Sequence, residues 1–198
     1  VQKPKGPLAA IKLTLFFAAL LPVGYTAWHV LNGDAIDPVA FMTHVSGSWT
    51  LVFLLLTLAI TPLRRLGFPN LLIRLRRMLG LYAYFYGTLH FAIYLCLDKG
   101  FAPGAIAHDI VKRPFITVGF AALLLMTPLA LTSTDGWMRR LKRNWGRLHR
   151  LIYPVALLGV LHYWWLVKRD HHQPLIYALV LLILLGLRVF FRSKKASR

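Results

Sequence analysis

Apolar residues run through this chain in long stretches, and the polar residues gather in the short intervals between them. Six stretches approach the roughly 20 residues a helix needs to cross a hydrocarbon core about 30 Å thick. They are 10–31, 45–63, 78–97, 115–131, 151–167 and 175–189. Peptide groups in lipid must be satisfied within the protein, so the predicted fold is all-α. We expect an integral membrane protein, a bundle of six transmembrane helices forming one domain over residues 1–198. The first stretch continues through Pro22-Val23-Gly24-Tyr25-Thr26-Ala27-Trp28 without a small-residue cleavage site, so it reads as a retained span and not as a signal peptide.

Composition agrees with this reading. The chain is 58% hydrophobic and only 15% charged, too apolar for a surface that water must wet. A net charge of +18 invites a nucleic-acid reading until the charges are located. One set of termini and loops holds Lys3, Lys5, Lys12, Arg64, Arg65, Arg74, Arg76, Arg77, Arg139, Arg140, Lys142, Arg143, Arg147, Arg150, Arg188, Arg192, Lys194, Lys195 and Arg198, against the single acid Asp135. The opposite loops balance Lys99, Lys112, Arg113, Lys168 and Arg169 with Asp34, Asp37, Asp98, Asp109 and Asp170. Basic loops remain on the cytoplasmic side, which predicts both termini cytoplasmic and an even number of spans. Topology thus accounts for the charge; contact with membrane lipids is its ordinary use, and no nucleic-acid partner is expected. Trp28, Trp49, Trp137, Trp145, Tyr163, Trp164 and Trp165 fall at or near span ends and read as interfacial anchors.

The lone Cys96 excludes an internal disulfide and a Cys-x-x-Cys-His attachment of c-type heme. No connection is long enough to hold a soluble flavin or nicotinamide domain. Candidate chemistry therefore lies with the histidines. Gly87-Thr88-Leu89-His90, Gly146-Arg147-Leu148-His149 and Gly159-Val160-Leu161-His162 share the form Gly-x-Leu-His. On a helix each of Gly87, Gly146 and Gly159 shares a face with its histidine, leaving room for a flat macrocycle. A neutral imidazole is an axial ligand for heme iron, and two facing helices can supply one on each side. His90 and His162 lie within apolar spans, where ionisable residues are functional by default. His149, between Arg147 and Arg150, is either a ligand or a solvated interfacial histidine; His44 is a ligand, a proton relay or, as we favour, interfacial.

His162 follows His149 by 13 residues, about 20 Å along a helix. Thirteen residues before His90 stands Arg77. The third and fifth spans run in the same direction, so this spacing predicts a bis-histidine heme between His90 and His162 near the outer side. It also predicts a more labile inner heme on His149, with Arg77 or water opposite. Arg74, Arg76, Arg77 and Arg147 at the inner face are candidates to pair with heme propionates or a flavin phosphate. The positive-inside rule explains their presence equally well. One rival is a proton or metal-ion transporter using His90 and His162, although all six acids fall in or beside loops. Another is a scaffold whose histidines only cross-link helices.

The chain also resembles the ferric-reductase-like transmembrane family. The likeness runs through Thr61-Pro62-Leu63, Leu71-Leu72-Ile73-Arg74-Leu75-Arg76-Arg77-Met78-Leu79-Gly80-Leu81, Thr88-Leu89-His90, Arg113-Pro114-Phe115 and Leu131-Thr132-Ser133-Thr134. It continues through Trp145-Gly146-Arg147-Leu148-His149, His162-Tyr163-Trp164 and Gln173-Pro174-Leu175-Ile176-Tyr177. The resemblance implies one or two b-type hemes held by His90, His149 and His162, and an electron-transfer subunit of the bacterial inner membrane that is not itself the catalytic subunit. It implies electrons from a cytoplasmic flavin reductase or the quinone pool, with bound FMN associated with the subunit. Their destination would be a periplasmic molybdopterin-containing reductase that repairs methionine sulfoxide in damaged proteins. The wider family places two histidines on each of two helices; Arg77 departs from that pattern.

Overall fold

The computed structural model describes residues 6–196, so Lys3, Lys5 and Arg198 lie outside the described residues. The described chain forms ten α-helices: α1 (Pro7–Ala18), α2 (Leu21–Leu31), α3 (Pro38–Arg65), α4 (Arg76–Ile93), α5 (Pro103–Lys112), α6 (Pro114–Leu131), α7 (Asp135–Leu141), α8 (Arg143–Leu148), α9 (Ile152–Leu166) and α10 (His172–Ala196). Proline occupies the first turn of α1, α2, α3, α5 and α6, where its fixed φ suits the helix and no N–H is needed. Asp37 caps α3 by accepting from the Ala40 N–H at 2.9 Å.

The protein is an all-helical multi-pass membrane protein. Four segments are long and apolar enough to cross a bilayer: Leu8–Leu31, Pro38–Arg65, Pro114–Leu131 and His172–Lys194. The other two expected spans do form helices in the bundle. However, α4 opens on Arg76 and Arg77, and α9 has only 15 residues. The first stretch is not one rod: α1 ends at Ala18 and α2 restarts at Leu21, with Pro22 in its first turn. Two carbonyls near the end of α1 find partners on α4. Tyr82 donates to Phe16 O at 2.8 Å and Tyr86 to Ala19 O at 2.7 Å. These tyrosines stack on Phe53 of α3, with ring centres 5.5 and 5.4 Å apart, so the aromatic core also fixes the bend in the first span.

Helix α3 is the central element, packed with α4 and against α2, α9 and α10, while α6 and α9 form a second pair and α4 meets α6. Leu54, Leu58, Val155 and Ala156 are essentially inaccessible. Half-buried Trp49 packs against this core, its ring tilted at 39° to that of Phe53 at 5.6 Å. Tyr163 is buried, donating to Gln173 Oε1 at 2.7 Å, and Trp145 donates to Thr132 O at 2.9 Å. These three are packed residues, unlike exposed Trp28 and Trp165. Cys96 sits exposed in a π-helical turn, Tyr94–Asp98, that extends α4.

Pro62 inside α3 has no N–H, which leaves the Leu58 carbonyl without its helical partner. Arg188 of α10 supplies one, donating through Nη2 at 2.6 Å. We expect Arg188→Met to cost about 1–3 kcal/mol, the usual penalty for orphaning a buried polar group. In a Pro62→Ala background Leu58 O regains a helical donor, so the same substitution should cost less. Unfolding in detergent measures both; equal costs in the two backgrounds would refute the carbonyl as the reason.

A charged clasp closes the opposite end. Buried Asp109 of α5 accepts from Lys99 Nζ at 2.9 Å, Arg113 Nε at 3.2 Å and the Tyr94 hydroxyl at 3.3 Å. The Lys99 ammonium, helped by Arg113, holds the Asp109 carboxyl below its ordinary pKa against the opposing effect of burial. A depressed folded-state pKa means that this stabilisation is present above the unfolded value of about 3.9 and is lost as pH falls through the folded one. Thermal midpoints of wild type should therefore drop below about pH 4. Asp109→Asn should start lower at pH 7 and lose part of that acid-dependent drop; parallel curves would exclude the clasp as its source.

Candidate cofactor site

Helices α4 and α9 carry His90 and His162 into one space. Their ring centres are 6.1 Å apart with planes at 83°. Each imidazole is held the same way. His90 Nδ1 lies 2.9 Å from Thr43 O of α3, and His162 Nδ1 lies 2.6 Å from Phe115 O of α6. Both carbonyls belong to residues 47 positions before their histidine. A carbonyl only accepts, so Nδ1 must carry the proton in both rings. That tautomer leaves the Nε2 lone pair free, the arrangement second-shell carbonyls impose on metal-ligating histidines.

Glycine makes this contact possible. One turn after each accepting carbonyl stands Gly47 on α3 or Gly119 on α6. A Cβ on Gly47 would meet His90 Nδ1 and Cε1 at 3.1 Å. One on Gly119 would meet His162 Nδ1 at 2.6 Å and Cε1 at 2.9 Å. Each ring therefore lies against a neighbouring helix through its Nδ1 edge and presents Nε2 on the other side. These two glycines were not singled out from the sequence. The available signal was a shared spacing to the histidines, which has meaning only once α3 pairs with α4 and α6 with α9.

A cavity of about 650 Å³ opens between α3, α4, α6 and α9, lined by both histidines and by Gly47, Gly87, Gly119 and Gly159. Its deeper wall is apolar, with Leu51, Leu54, Ala122, Met126 and Val155; Asp37, Asp98 and Arg113 are its charged lining residues. This is the size and character of a pocket for a large apolar ligand oriented by a few polar groups. Imidazole nitrogens about 2 Å from a shared metal would place opposed ring centres roughly 6 Å apart, close to the separation found. Among the described residues no group of three or more His, Cys, Asp or Glu could hold a metal ion. A bare cation would thus find two donors here, whereas a macrocycle bringing its own four nitrogens needs only two. The residues fit heme.

The other expected site residues lie elsewhere. None of Arg74, Arg76, Arg77, Gly146, Arg147 and His149 lines this cavity. Arg77 is bound by Asp135 at 2.6 Å, and Arg147 donates to Asn144 Oδ1 at 3.3 Å. A Cβ on Gly146 would meet nothing within 4 Å, so the space beside it is open. His149 stacks on Trp145 at 3.9 Å with Nδ1 3.2 Å from Trp145 O. Its Nε2 is buried without a partner. Burial lowers the His149 pKa, in favour of a neutral ring. His44, read as interfacial, lines the cavity and stands edge-on to Tyr163 at 6.3 Å.

Residues 46–160 match the family model described as the ferric reductase like transmembrane component. The chain is also similar over nearly its full length to curated proteins named protein-methionine-sulfoxide reductase heme-binding subunit MsrQ. That of Xanthomonas euvesicatoria pv. vesicatoria is 57% identical, covering 96% of this chain and 90% of the relative. The relative from Xanthomonas oryzae pv. oryzae is 58% identical, covering 100% of this chain and 96% of its own length. A protein of the same name from Herminiimonas arsenicoxydans is 51% identical over 98% of this chain and 92% of the relative.

Proposed function

We propose that this chain, which belongs to the ferric reductase-like transmembrane family and within it to the MsrQ heme-binding subunits, carries electrons across the bacterial inner membrane to a periplasmic methionine-sulfoxide reductase. The observation that carries this reading is the pair of imidazoles at 6.1 Å, each with Nδ1 engaged by a backbone carbonyl and Nε2 free. His90 and His162 would hold b-type heme, which supplies a one-electron ferric/ferrous couple when bound. The glycines admit the rings, the carbonyls hold their tautomer, and the apolar wall keeps water from the site.

In this reading α4 and α9 cross the membrane with the four longer segments, making six spans with both termini in the cytoplasm. Electrons arrive at the basic face from a cytoplasmic flavin reductase or from quinol and leave on the side of the Asp109 clasp to the molybdopterin-containing partner MsrP. A second, weaker heme would take His149, whose buried Nε2 has no protein partner. Arg77, engaged by Asp135, would not hold it.

Purified protein should show a low-spin b-type visible spectrum that sharpens with dithionite, and dithionite-reduced protein should transfer electrons to the partner's molybdenum centre. A colourless full-length preparation would overturn heme binding, and reduced protein that leaves the partner oxidised would overturn the electron path.

A further inference from the structure

The cavity between α3, α4, α6 and α9 has an apolar floor and a charged rim. Leu51, Leu54, Met126 and Val155 form the floor. Asp37 just before α3, Asp98 at the end of the turn that extends α4, and Arg113 just before α6 all line the cavity from the same end of the bundle. Among the described residues that line it, Arg113 is the single lysine or arginine. Lys99 does not line it, and its ammonium is taken by Asp109 at 2.9 Å and Asp98 at 3.3 Å.

Arg113 is held at one side of its guanidinium and open at the other. Nε lies 3.2 Å from Oδ1 of buried Asp109. Nη1 and Nη2 donate no hydrogen bond among the described residues, and the side chain is 51% exposed. Arg113 also stands two residues before Phe115, whose carbonyl lies 2.6 Å from His162 Nδ1. One stretch of backbone at the start of α6 therefore positions both the guanidinium and the imidazole.

Heme carries two propionate carboxylates on one edge and only carbon groups around the rest of its periphery. A carboxylate placed against the apolar floor would lose its hydration without gaining a partner, so the propionate edge belongs at the rim. There Asp37 and Asp98 repel it. Arg113 attracts it with a planar fork that matches a carboxylate. The arginines expected from the sequence to do this, Arg74, Arg76, Arg77 and Arg147, line no part of the cavity.

We propose that Arg113 is the propionate-binding residue of the His90–His162 site, and that it decides which edge of the macrocycle enters the cavity. This inference rests on the heme reading above.

The test uses the full chain, produced without heme and kept in detergent, titrated with hemin or with hemin dimethyl ester. The ester has the same ring and iron, but its carboxylates are neutralised. Binding is followed by the low-spin absorbance bands. Wild type should prefer hemin over the ester at least tenfold, roughly the worth of one charge-assisted contact. Arg113→Gln should lose that preference, binding hemin at least tenfold more weakly while its affinity for the ester stays within about twofold. Damage to the Asp109 clasp would weaken both ligands alike, so the ratio separates pairing from structure. Exposed Lys112→Gln, beside Arg113 but not lining the cavity, should keep the wild-type ratio. Should Arg113→Gln fail to fold, Arg113→Lys retains a charge for Asp109 without the fork, and its ratio should fall severalfold. Equal binding of hemin and ester by wild type, or an unchanged ratio in the Arg113 variant, would overturn the role of Arg113 and leave the heme reading standing. Wild type that binds neither would overturn the heme reading, and this inference with it.

Discussion

Alanine at His90 or at His162 is expected to abolish one and the same low-spin b-type heme, while His149→Ala leaves that heme in place. The two rings stand 6.1 Å apart and line one cavity, so each substitution removes one of the two imidazoles that would hold the same group. A single remaining imidazole gives a five-coordinate or water-ligated iron, whose optical bands differ from the bis-imidazole form. Loss of one ligand should cut retained heme at least tenfold, the scale on which even second-shell partners of a metal site act. Heme-to-protein ratio and the reduced-minus-oxidised spectrum read this directly. His149 lies one axial level away and does not touch the cavity, so its substitution should remove only the weaker heme. If His90→Ala and His149→Ala instead abolish one shared heme and His162→Ala another, the pairing of levels is wrong.

The second large effect is expected from a methyl group. Gly119→Ala would put a Cβ 2.6 Å from His162 Nδ1 and 3.1 Å from Cγ. The obstructed atoms belong to a rigid ring that is hydrogen-bonded to Phe115 O at 2.6 Å, and not to the end of a flexible side chain. Either the ring turns and loses that bond or α6 moves away from α9. Overpacking of this kind costs about 1–3 kcal/mol in a folded core, and it should also move Nε2 off the position that heme needs. Heme content should fall severalfold in Gly119→Ala and less in Gly47→Ala, where the nearest ring atoms are at 3.1 Å. Gly146→Ala should leave the heme between His90 and His162 in place, because Gly146 does not line that cavity. The ranking is unexpected from sequence, since Gly146 belongs to the repeated histidine motif and Gly119 does not. Equal heme content in all three variants would refute the packing argument.

The broad architecture was legible in the linear chain because it depends on local quantities. Apolar length sets whether a helix can span lipid, and the one-sided distribution of arginine and lysine orients the loops. The expected 45–63 and 175–189 runs extend in the structure to Pro38–Arg65 and His172–Ala196, since helices continue past the apolar core until a capping or breaking signal appears. The residues of His90 and His162 were also legible, as was their common depth: each stands 13 positions after Arg77 or His149, and helical rise is constant.

Depth along a helix does not give rotation about it or the identity of its neighbour. The sequence could place both histidines at one level, but only the pairing of α4 with α3 and of α9 with α6 turned Thr43 and Phe115 carbonyls toward their rings. The same pairings made Gly47 and Gly119 the necessary glycines. Trp49 looked like an anchor at a span end until its tilted contacts with Phe53 and Tyr86 packed it against the core. Arg188 looked like one more positive-inside charge until the proline in another helix left Leu58 O in need of a donor. The all-helical multi-pass architecture and the candidate ligands were readable in the sequence alone, through helical rise and transfer into lipid. Which ring meets which carbonyl, and which arginine caps the carbonyl freed by Pro62, was decided by tertiary structure, because those contacts join residues dozens of positions apart whose meeting depends on how the helices rotate and pack.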